Sequence, residues 1–169
     1  MSSTLVLVLI ACAMAQAFFV AAEVALSACD RKALRARAAA GGVAAARAEK
    51  MLAEPQISLA TTLIGANLAT LFAALLFAVE LARHGDSPLW APLVVVPPLV
   101  VIGNLVPKAI VGAHADRMVD VLAAPLRLAS FVLRPLVAVV GGYASALTRV
   151  ARTDRGKAFV TREELALLI

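Results

Sequence analysis

Three long runs of apolar residues constrain this chain more than any other feature. A helix needs roughly 20 apolar residues to cross about 30 Å of hydrocarbon, and each run reaches or approaches that length. The chain of 169 residues is 62% hydrophobic and 16% charged, whereas a soluble domain is only about 45–50% apolar. The sequence therefore predicts an all-α integral membrane protein. Its three transmembrane helices are expected at about residues 5–28, 57–80 and 89–111.

The first run also invites comparison with a signal peptide. A signal peptide has a basic segment ahead of a short apolar core. Here no Lys or Arg precedes Asp30, and the apolar run covers residues 5–28. These two features favour a transmembrane helix that stays in the protein.

The distribution of Lys and Arg predicts the orientation. Cytoplasmic segments carry an excess of basic residues. Six basic residues lie between the first two runs, only Arg83 lies between the second and third, and nine lie from Lys108 at the end of the third onward. The N-terminus is therefore expected outside a plasma or inner membrane, and the C-terminus in the cytoplasm. The net charge of +5 fits contact with an anionic inner leaflet of the lipid bilayer, and it requires no nucleic-acid partner.

The segment between the first two runs is rich in alanine, and it is too long for a plain turn. Asp30 is a suitable N-cap, and Ala, Leu, Arg and Lys favour helix. Gly41 and Gly42 interrupt the helical pattern, and Pro55 ends it. We expect a cytoplasmic helical hairpin or a broken helix near the membrane.

Residues 113–149 allow two interpretations. Arg127 and Arg134 are seven residues apart, so they share one helical face. The segment either forms an amphipathic belt in the cytoplasmic interface or crosses the membrane a fourth time over residues 121–147. A crossing would bury both arginines, which costs a few kcal/mol each on insertion scales. The belt is therefore favoured.

The last residues change in character from apolar to polar. The sequence from Thr161 to Glu164 reads Thr-Arg-Glu-Glu, which is a capping box that begins a helix. We expect residues 1–151 to form the membrane domain, and residues 152–169 to be a linker and the start of a cytoplasmic helix. A soluble domain is expected to follow in the full-length protein.

Polar residues inside the predicted spans are candidates for function, because they are expensive in a membrane. In the first helix, Glu23 lies about five residues from the cytoplasmic end, roughly 8 Å deep at 1.5 Å per residue. Lys108 lies at a comparable depth in the third. Glu23 is protonated, pairs with Lys108, or serves as a cation ligand or gate. Other polar residues of the three spans include Gln16, Ser27, Ser58, Thr61, Thr62, Asn67, Thr70 and Asn104.

The third run ends in Gly-Asn-Leu-Val-Pro-Lys, residues 103–108. Pro107 has no N–H to donate to the carbonyl of Gly103 four residues earlier. The freed carbonyl and the Asn104 amide oxygen would form a cluster of hard ligands, suited to Mg²⁺ or Na⁺. The alternative is a simple proline kink. In the second helix, Gly65 either packs against a neighbouring helix or contributes to a site, and Asn67 is the amide expected to hydrogen-bond across helices.

At these residues the sequence resembles the transmembrane domain of the CNNM/CorC family, described as magnesium and cobalt efflux or hemolysin-like proteins. Three stretches carry the resemblance in order along the chain. They are FFVAAEVALSACDRKALRA, LATTLIGANLATLFAALL and VVIGNLVPKAIVGAHADRM. In the family they correspond to a Phe-Ser-x-x-Glu-x-Ala segment, an Ile-Gly-Asn-Asn-Leu segment and a Gly-Glu-Ile-x-Pro-Lys segment.

The resemblance implies three transmembrane helices, a juxtamembrane helical belt and a homodimer. It also implies a cytoplasmic CBS-domain pair, outside this sequence, that binds ATP in relatives. The family holds Mg²⁺ with a first-helix Ser, a second-helix Asn, a third-helix Glu and nearby carbonyls. Those positions fall here on Val20, Ala66 and Asn104, while Asn67 matches the second family Asn. Since a buried dication without a carboxylate is poorly solvated, we expect weak Mg²⁺ binding.

Two functions are consistent with these observations. The first is a Mg²⁺-class efflux transporter that works by alternating access. The second is a non-transporting scaffold or regulator that pairs with an intact homologue. An enzyme is not expected, because both histidines are isolated, neither Cys12 nor Cys29 has a nearby base, and no nucleotide-binding loop occurs. The predicted cation ligands are Asn67, Gly103 and Asn104, with Glu23, Gly65 and Ser27 as further candidates, and the predicted structural or gating residues are Pro107, Lys108 and Glu23.

Overall fold

The computed structural model describes the backbone of residues 3–155 and the side chains of residues 3–140 and 142. Every regular element in this part of the chain is helical. The helices are α1 (Ser3–Ala28), α2 (Arg31–Ala39), α3 (Val43–Ala53), α4 (Pro55–Arg83), α5 (Ala91–Val100), α6 (Val106–Gly112) and α7 (Ala115–Arg155). A 3₁₀ turn, Pro88–Trp90, precedes α5, and a π-helical turn, Val101–Leu105, joins α5 to α6. The all-α prediction is confirmed.

Four helical stretches are long and apolar enough to cross a membrane. Three of them agree with the predicted spans, namely Ser3–Ala28, Pro55–Arg83 and Pro88–Gly112. The fourth is Ala115–Val140, which lies in the segment predicted as a belt. Because length and composition alone do not distinguish a crossing from an interfacial helix, the number of crossings stays a prediction.

The segment that links α1 to α4 is a helical hairpin, as predicted. Asp30 caps α2, since its carboxylate accepts hydrogen bonds from the backbone N–H groups of Lys32 and Ala33. The turn between α2 and α3 places Gly41 at a φ of +91°, a conformation that glycine adopts without a steric penalty. Pro55 occupies the first turn of α4, where its missing N–H is harmless.

Helix α1 lies at the centre of the arrangement. It packs along α4 and also contacts α6 and the π-helical turn. One apolar core joins the C-terminal half of α1 to the α2–α3 hairpin and the start of α7. Its buried residues include Ala22, Ala25, Leu26, Leu34, Ala48, Met51, Val119, Ala123 and Leu126. A second core lies near the opposite end of α1 and contains Leu5, Ala73, Phe77, Ala91, Val95 and Leu99.

The chain divides into two compact units. Met1–Arg134 holds α1 to α6 and the first part of α7, and Pro135–Ile169 holds the remainder. The predicted domain boundary near residue 151 remains a prediction. The predicted capping box at residues 161–164 lies outside the described residues.

Candidate functional site

The first notable contact joins the middle of α1 to the π-helical turn. The Gln16 side chain is only 4% exposed. A Cβ built on Gly103 would lie 2.8 Å from Gln16 Oε1 and 2.9 Å from its Cδ. Glycine at 103 therefore allows the amide to lie directly against the backbone of the turn.

The amide oxygen of Gln16 is buried without a hydrogen-bond partner among the described residues. A buried polar group normally has a partner, and leaving one unpaired costs about 1–3 kcal/mol. An unpartnered oxygen in an otherwise apolar helix interface calls for a functional explanation. This oxygen and the turn around Gly103 form the candidate site.

The π-helical turn accommodates Pro107 without ending the helix. The N–H of Val106 donates to the carbonyl of Val101, five residues earlier. Such wide turns occur often at functional sites. Pro107 is buried and the neighbouring Asn104 is half-buried. The expected irregularity is present, in the form of a widened turn within a continuous helical stretch.

Helix α4 presents Gly65 and Asn67 in different directions. Gly65 is buried, and a Cβ there would lie 2.5 Å from the Phe19 ring of α1. Two residues correspond to a rotation of about 200° around a helix. Asn67 is accordingly exposed in the single chain. The structure thus brings Gly65 against α1 and leaves Asn67 on the outer face of α4.

The remaining predicted site residues lie toward the end of α1 and on α6. Glu23 is half-buried, whereas Ser27 and Lys108 are exposed. The ion pairs of the described residues are Arg35–Glu49, Arg37–Asp120 and Arg83–Glu80. They do not include a Glu23–Lys108 pair, so that alternative for Glu23 is not realised in this conformation.

A separate polar contact fastens the start of α7 to the α2 region. Arg37 Nη1 donates to Asp120 Oδ2 at 2.8 Å and to the backbone carbonyl of Asp116 at 2.9 Å. The Asp30 N–H donates to Asp116 Oδ1 at 2.8 Å. These bonds hold α7 beside the end of α1.

The donor set at the candidate site consists of neutral oxygens. No group of three or more His, Cys, Asp or Glu side chains able to hold a metal occurs in the part of the chain that the structure describes. Gln16 was recognised as polar from the sequence but was not assigned to the site. The available signal was its position seven residues before Glu23, which places both on one face of α1.

The family model described as "Cyclin M transmembrane N-terminal domain" matches residues 7–169. The chain belongs to this family. It is also similar to a "UPF0053 protein" of Haemophilus influenzae, with 26% identity over 171 residues. That alignment covers 99% of this chain and 41% of the relative. The chain therefore spans less than half the length of the relative that it matches.

The structure locates the positions that the resemblance predicted to match the ligands of a Cyclin M transmembrane domain. Val20, predicted to match a serine, is 2% exposed on α1. Gln16 lies one turn before Val20, on the same face of the helix. Ala66, predicted to match an asparagine, is half-buried on α4. The buried face of α1 therefore carries an amide one turn away from Val20.

Proposed function

We propose that this Cyclin M transmembrane domain transports a divalent cation of the Mg²⁺ class. The cation passes between α1, α4 and the α5–α6 stretch, next to the π-helical turn. The observation that carries the proposal is the buried, unpartnered Gln16 Oε1 lying against Gly103. A dehydrated or partly hydrated cation is a natural partner for that oxygen.

The chemistry of the donors fits a weakly held Mg²⁺ ion. Gln16 and Asn104 offer amide oxygens, and the turn around Gly103 offers backbone carbonyls. Mg²⁺ prefers hard oxygen ligands and commonly retains several of its waters. Without a carboxylate the desolvation of a dication is poorly offset, so binding is weak. A transported ion must also leave its site, and weak binding favours release.

Glu23 supplies the nearest candidate for a negative charge on the same face of α1. It lies two turns from Gln16, or about 10 Å along the axis. It is half-buried and forms no ion pair among the described residues. We place Glu23 at the cytoplasmic side of the path, where it attracts the cation, with Ser27 and Lys108 nearer the surface.

Asn67 acts in this proposal across a homodimer. It lies on the exposed face of α4, and an exposed amide in a membrane is expensive unless a neighbouring helix satisfies it. A second copy of the chain would cover this face. The homodimer is thus part of the proposal, as is an orientation with the N-terminus outside.

We further propose that α7 lies along the cytoplasmic interface. Asp116 and Arg134 are separated by about 27 Å of helix at 1.5 Å per residue. Asp116 contacts Asp30 at the end of α1, while Arg134 shares a cleft with Lys50 of α3. Both positions therefore lie beside the α2–α3 hairpin, which supports a helix parallel to the membrane surface. The adjacent side of α7 lines an apolar groove together with α1 and α4, as an amphipathic interfacial helix would.

The second candidate function is a non-transporting membrane scaffold or regulatory subunit that pairs with an intact homologue. A specific observation favours it. Val20, Ala66 and Asn104 lack the groups with which the family binds Mg²⁺, and no acidic or His/Cys cluster replaces them in the described residues.

Mg²⁺ flux into proteoliposomes tests the transporter proposal. Wild type is compared with Asn104→Ala, Asn104→Glu and Gln16→Leu, and Gln56→Leu serves as the control because Gln56 is exposed at the start of α4. Loss of one ligand worth about 1.4–2.8 kcal/mol weakens cation binding about 10- to 100-fold, so flux at sub-saturating Mg²⁺ should fall by a similar factor. Gln16→Leu removes an unpartnered oxygen, so it should slow flux without lowering stability.

The outcomes separate the two functions. Flux that falls in Asn104→Ala and Gln16→Leu but not in Gln56→Leu supports the transporter. If flux is unchanged in both Asn104→Ala and Gln16→Leu, the path of the cation lies elsewhere. If wild type shows no flux and Asn104→Glu does, the natural chain does not transport Mg²⁺, and the scaffold function is supported.

A further inference from the structure

A second cleft lies away from the candidate cation path, between α3, the first turn of α4 and the middle of α7. It has a volume of about 390 Å³. Helices α3 and α7 each contribute two basic residues. The lining residues are Arg47, Lys50, Met51, Glu54, Ile57, Ser58, Arg127, Ser130, Phe131 and Arg134.

The cleft concentrates positive charge that no ion pair among the described residues neutralises. Four of its side chains are basic and only Glu54 is acidic. None of the four cations belongs to an ion pair within the described part of the chain. Unpaired cations facing one concave surface repel one another, and an anion that enters the cleft relieves that repulsion.

Helix periodicity accounts for the convergence of these charges. Arg127 and Arg134 are seven residues apart and so lie on one face of α7, about 10 Å apart along the axis. Arg47 and Lys50 are three residues apart and are neighbours on α3. The two pairs approach the same space from opposite walls, which suits a polyvalent oxyanion such as a phosphate group.

The hydroxyl groups in the cleft are already engaged. Ser58 Oγ donates to the carbonyl of Met51 at 2.8 Å, and Ser130 Oγ donates to the carbonyl of Leu126 at 2.9 Å. Recognition of an anion therefore depends on the guanidinium and ammonium groups. Arginine forms paired hydrogen bonds to phosphate oxygens in a fixed planar geometry.

The cleft also presents exposed apolar side chains, which a soluble anion would not use. Ile57 is 45% exposed and Phe131 is 72% exposed. Ile57 begins the apolar body of α4, which is long enough to cross the membrane. Cations beside apolar side chains at the end of a span match an amphiphile with a phosphate headgroup and acyl chains.

We infer that this cleft binds the headgroup of an anionic phospholipid, with Arg127 and Arg134 on one side of the phosphate and Arg47 and Lys50 on the other. Bound lipid joins α7 to the α3–α4 junction and holds α7 at the membrane surface. The inference does not depend on cation transport, because none of these residues belongs to the proposed ion path.

Native mass spectrometry of the detergent-solubilised chain, titrated with phosphatidylglycerol or phosphatidylcholine, tests the inference. Wild type is compared with Arg127→Gln/Arg134→Gln. The control is Lys32→Gln/Arg117→Gln, which removes the same charge from two exposed residues outside the cleft. Since each basic residue near an anionic surface contributes about 1 kcal/mol, the cleft variant should bind phosphatidylglycerol about 30-fold more weakly. The control should match wild type.

Four further results would overturn the inference. One is equal affinity for the two lipids in wild type, and another is an equal loss in the control variant. The third is full displacement of phosphatidylglycerol by an equal concentration of inorganic phosphate, which would identify a site for a soluble anion. The variant Arg127→Lys/Arg134→Lys keeps the charge but loses the paired planar geometry, so it should bind phosphatidylglycerol more strongly than the glutamine variant and more weakly than wild type. A complete loss there, in a protein that remains monodisperse, also contradicts a charge-based site.

Discussion

Replacing Gly65 by alanine tests the packing that positions the candidate site. A Cβ at this position would lie 2.5 Å from Cε1 and Cζ of Phe19 and 2.6 Å from its Cδ1. Cβ atoms do not approach other heavy atoms so closely, so the ring or the helices must move. Phe19 also packs edge-on against Phe18, with ring centroids 5.2 Å apart, which restricts the direction in which it can turn.

The expected magnitude combines two opposing effects. Overpacking a close interface costs about 1–3 kcal/mol, while alanine is favoured over glycine in a helix by about 1 kcal/mol. Gly65→Ala should therefore lower the unfolding free energy by about 0–2 kcal/mol. The matched control is Gly112→Ala in α6, where a Cβ would meet nothing within 4 Å. That variant gains the same helix preference of about 1 kcal/mol without a clash, so the two alanine variants should differ by about 1–3 kcal/mol.

The assay is reversible unfolding in mixed detergent micelles, completed as a double-mutant cycle with Phe19→Ala. Removing the ring makes room for the new methyl group, so the double variant should be more stable than the sum of the single changes predicts. Residues in contact show coupling energies of about 0.5–3 kcal/mol. Equal stability of Gly65→Ala and Gly112→Ala, together with no coupling to Phe19, would refute the close α1–α4 contact.

Two further predictions concern the region where α7 meets the end of α1. Arg37→Ala removes a 2.8 Å ion pair with Asp120 and should lower the unfolding free energy by about 1–3 kcal/mol, because Asp120 loses a charged partner. Adding Asp120→Ala to this variant should then cost little further stability. Full additivity of the two losses in thermal unfolding would contradict the contact. Burial raises the pKa of the Cys29 thiol above its ordinary value, so fewer thiolates form at a given pH. In a Cys12→Ala background, maleimide labelling of the folded protein should become fast only at a higher pH than for a free cysteine, and a pH profile equal to that of free cysteine would contradict the burial.

The sequence by itself predicted the fold class and the positions of the first three long helices. An apolar run of about 20 residues has few alternatives to a helix in a membrane, because every backbone N–H and C=O must be paired within the segment. The hairpin between α1 and α4 was equally predictable, since Asp30, Gly41 and Pro55 act through local backbone geometry. Resemblance to the family then predicted where a cation site would lie.

The number of crossings depends on contacts that the sequence leaves open. Helix α7 is apolar enough to span a membrane, yet it also carries Arg127 and Arg134 on one face. Composition alone is compatible with both placements. The hydrogen bonds of Asp116 and Asp120 to the α2 region, and the cleft that Arg134 shares with Lys50, are what support the proposed interfacial placement.

The membership of the site was likewise decided by tertiary structure. Glu23, Asn67 and Gln16 all appear in the sequence as polar residues in apolar helices. The sequence pattern around them does not indicate which of the three is buried at a site. Packing of α1 against α4 and the π-helical turn buries Gln16 against Gly103 and leaves Asn67 on the outer face. The physical reason is that the desolvation of a side chain depends on which helices pack against each other. That packing follows from close contacts such as that of Gly65 with Phe19, and not from the hydropathy of any single helix.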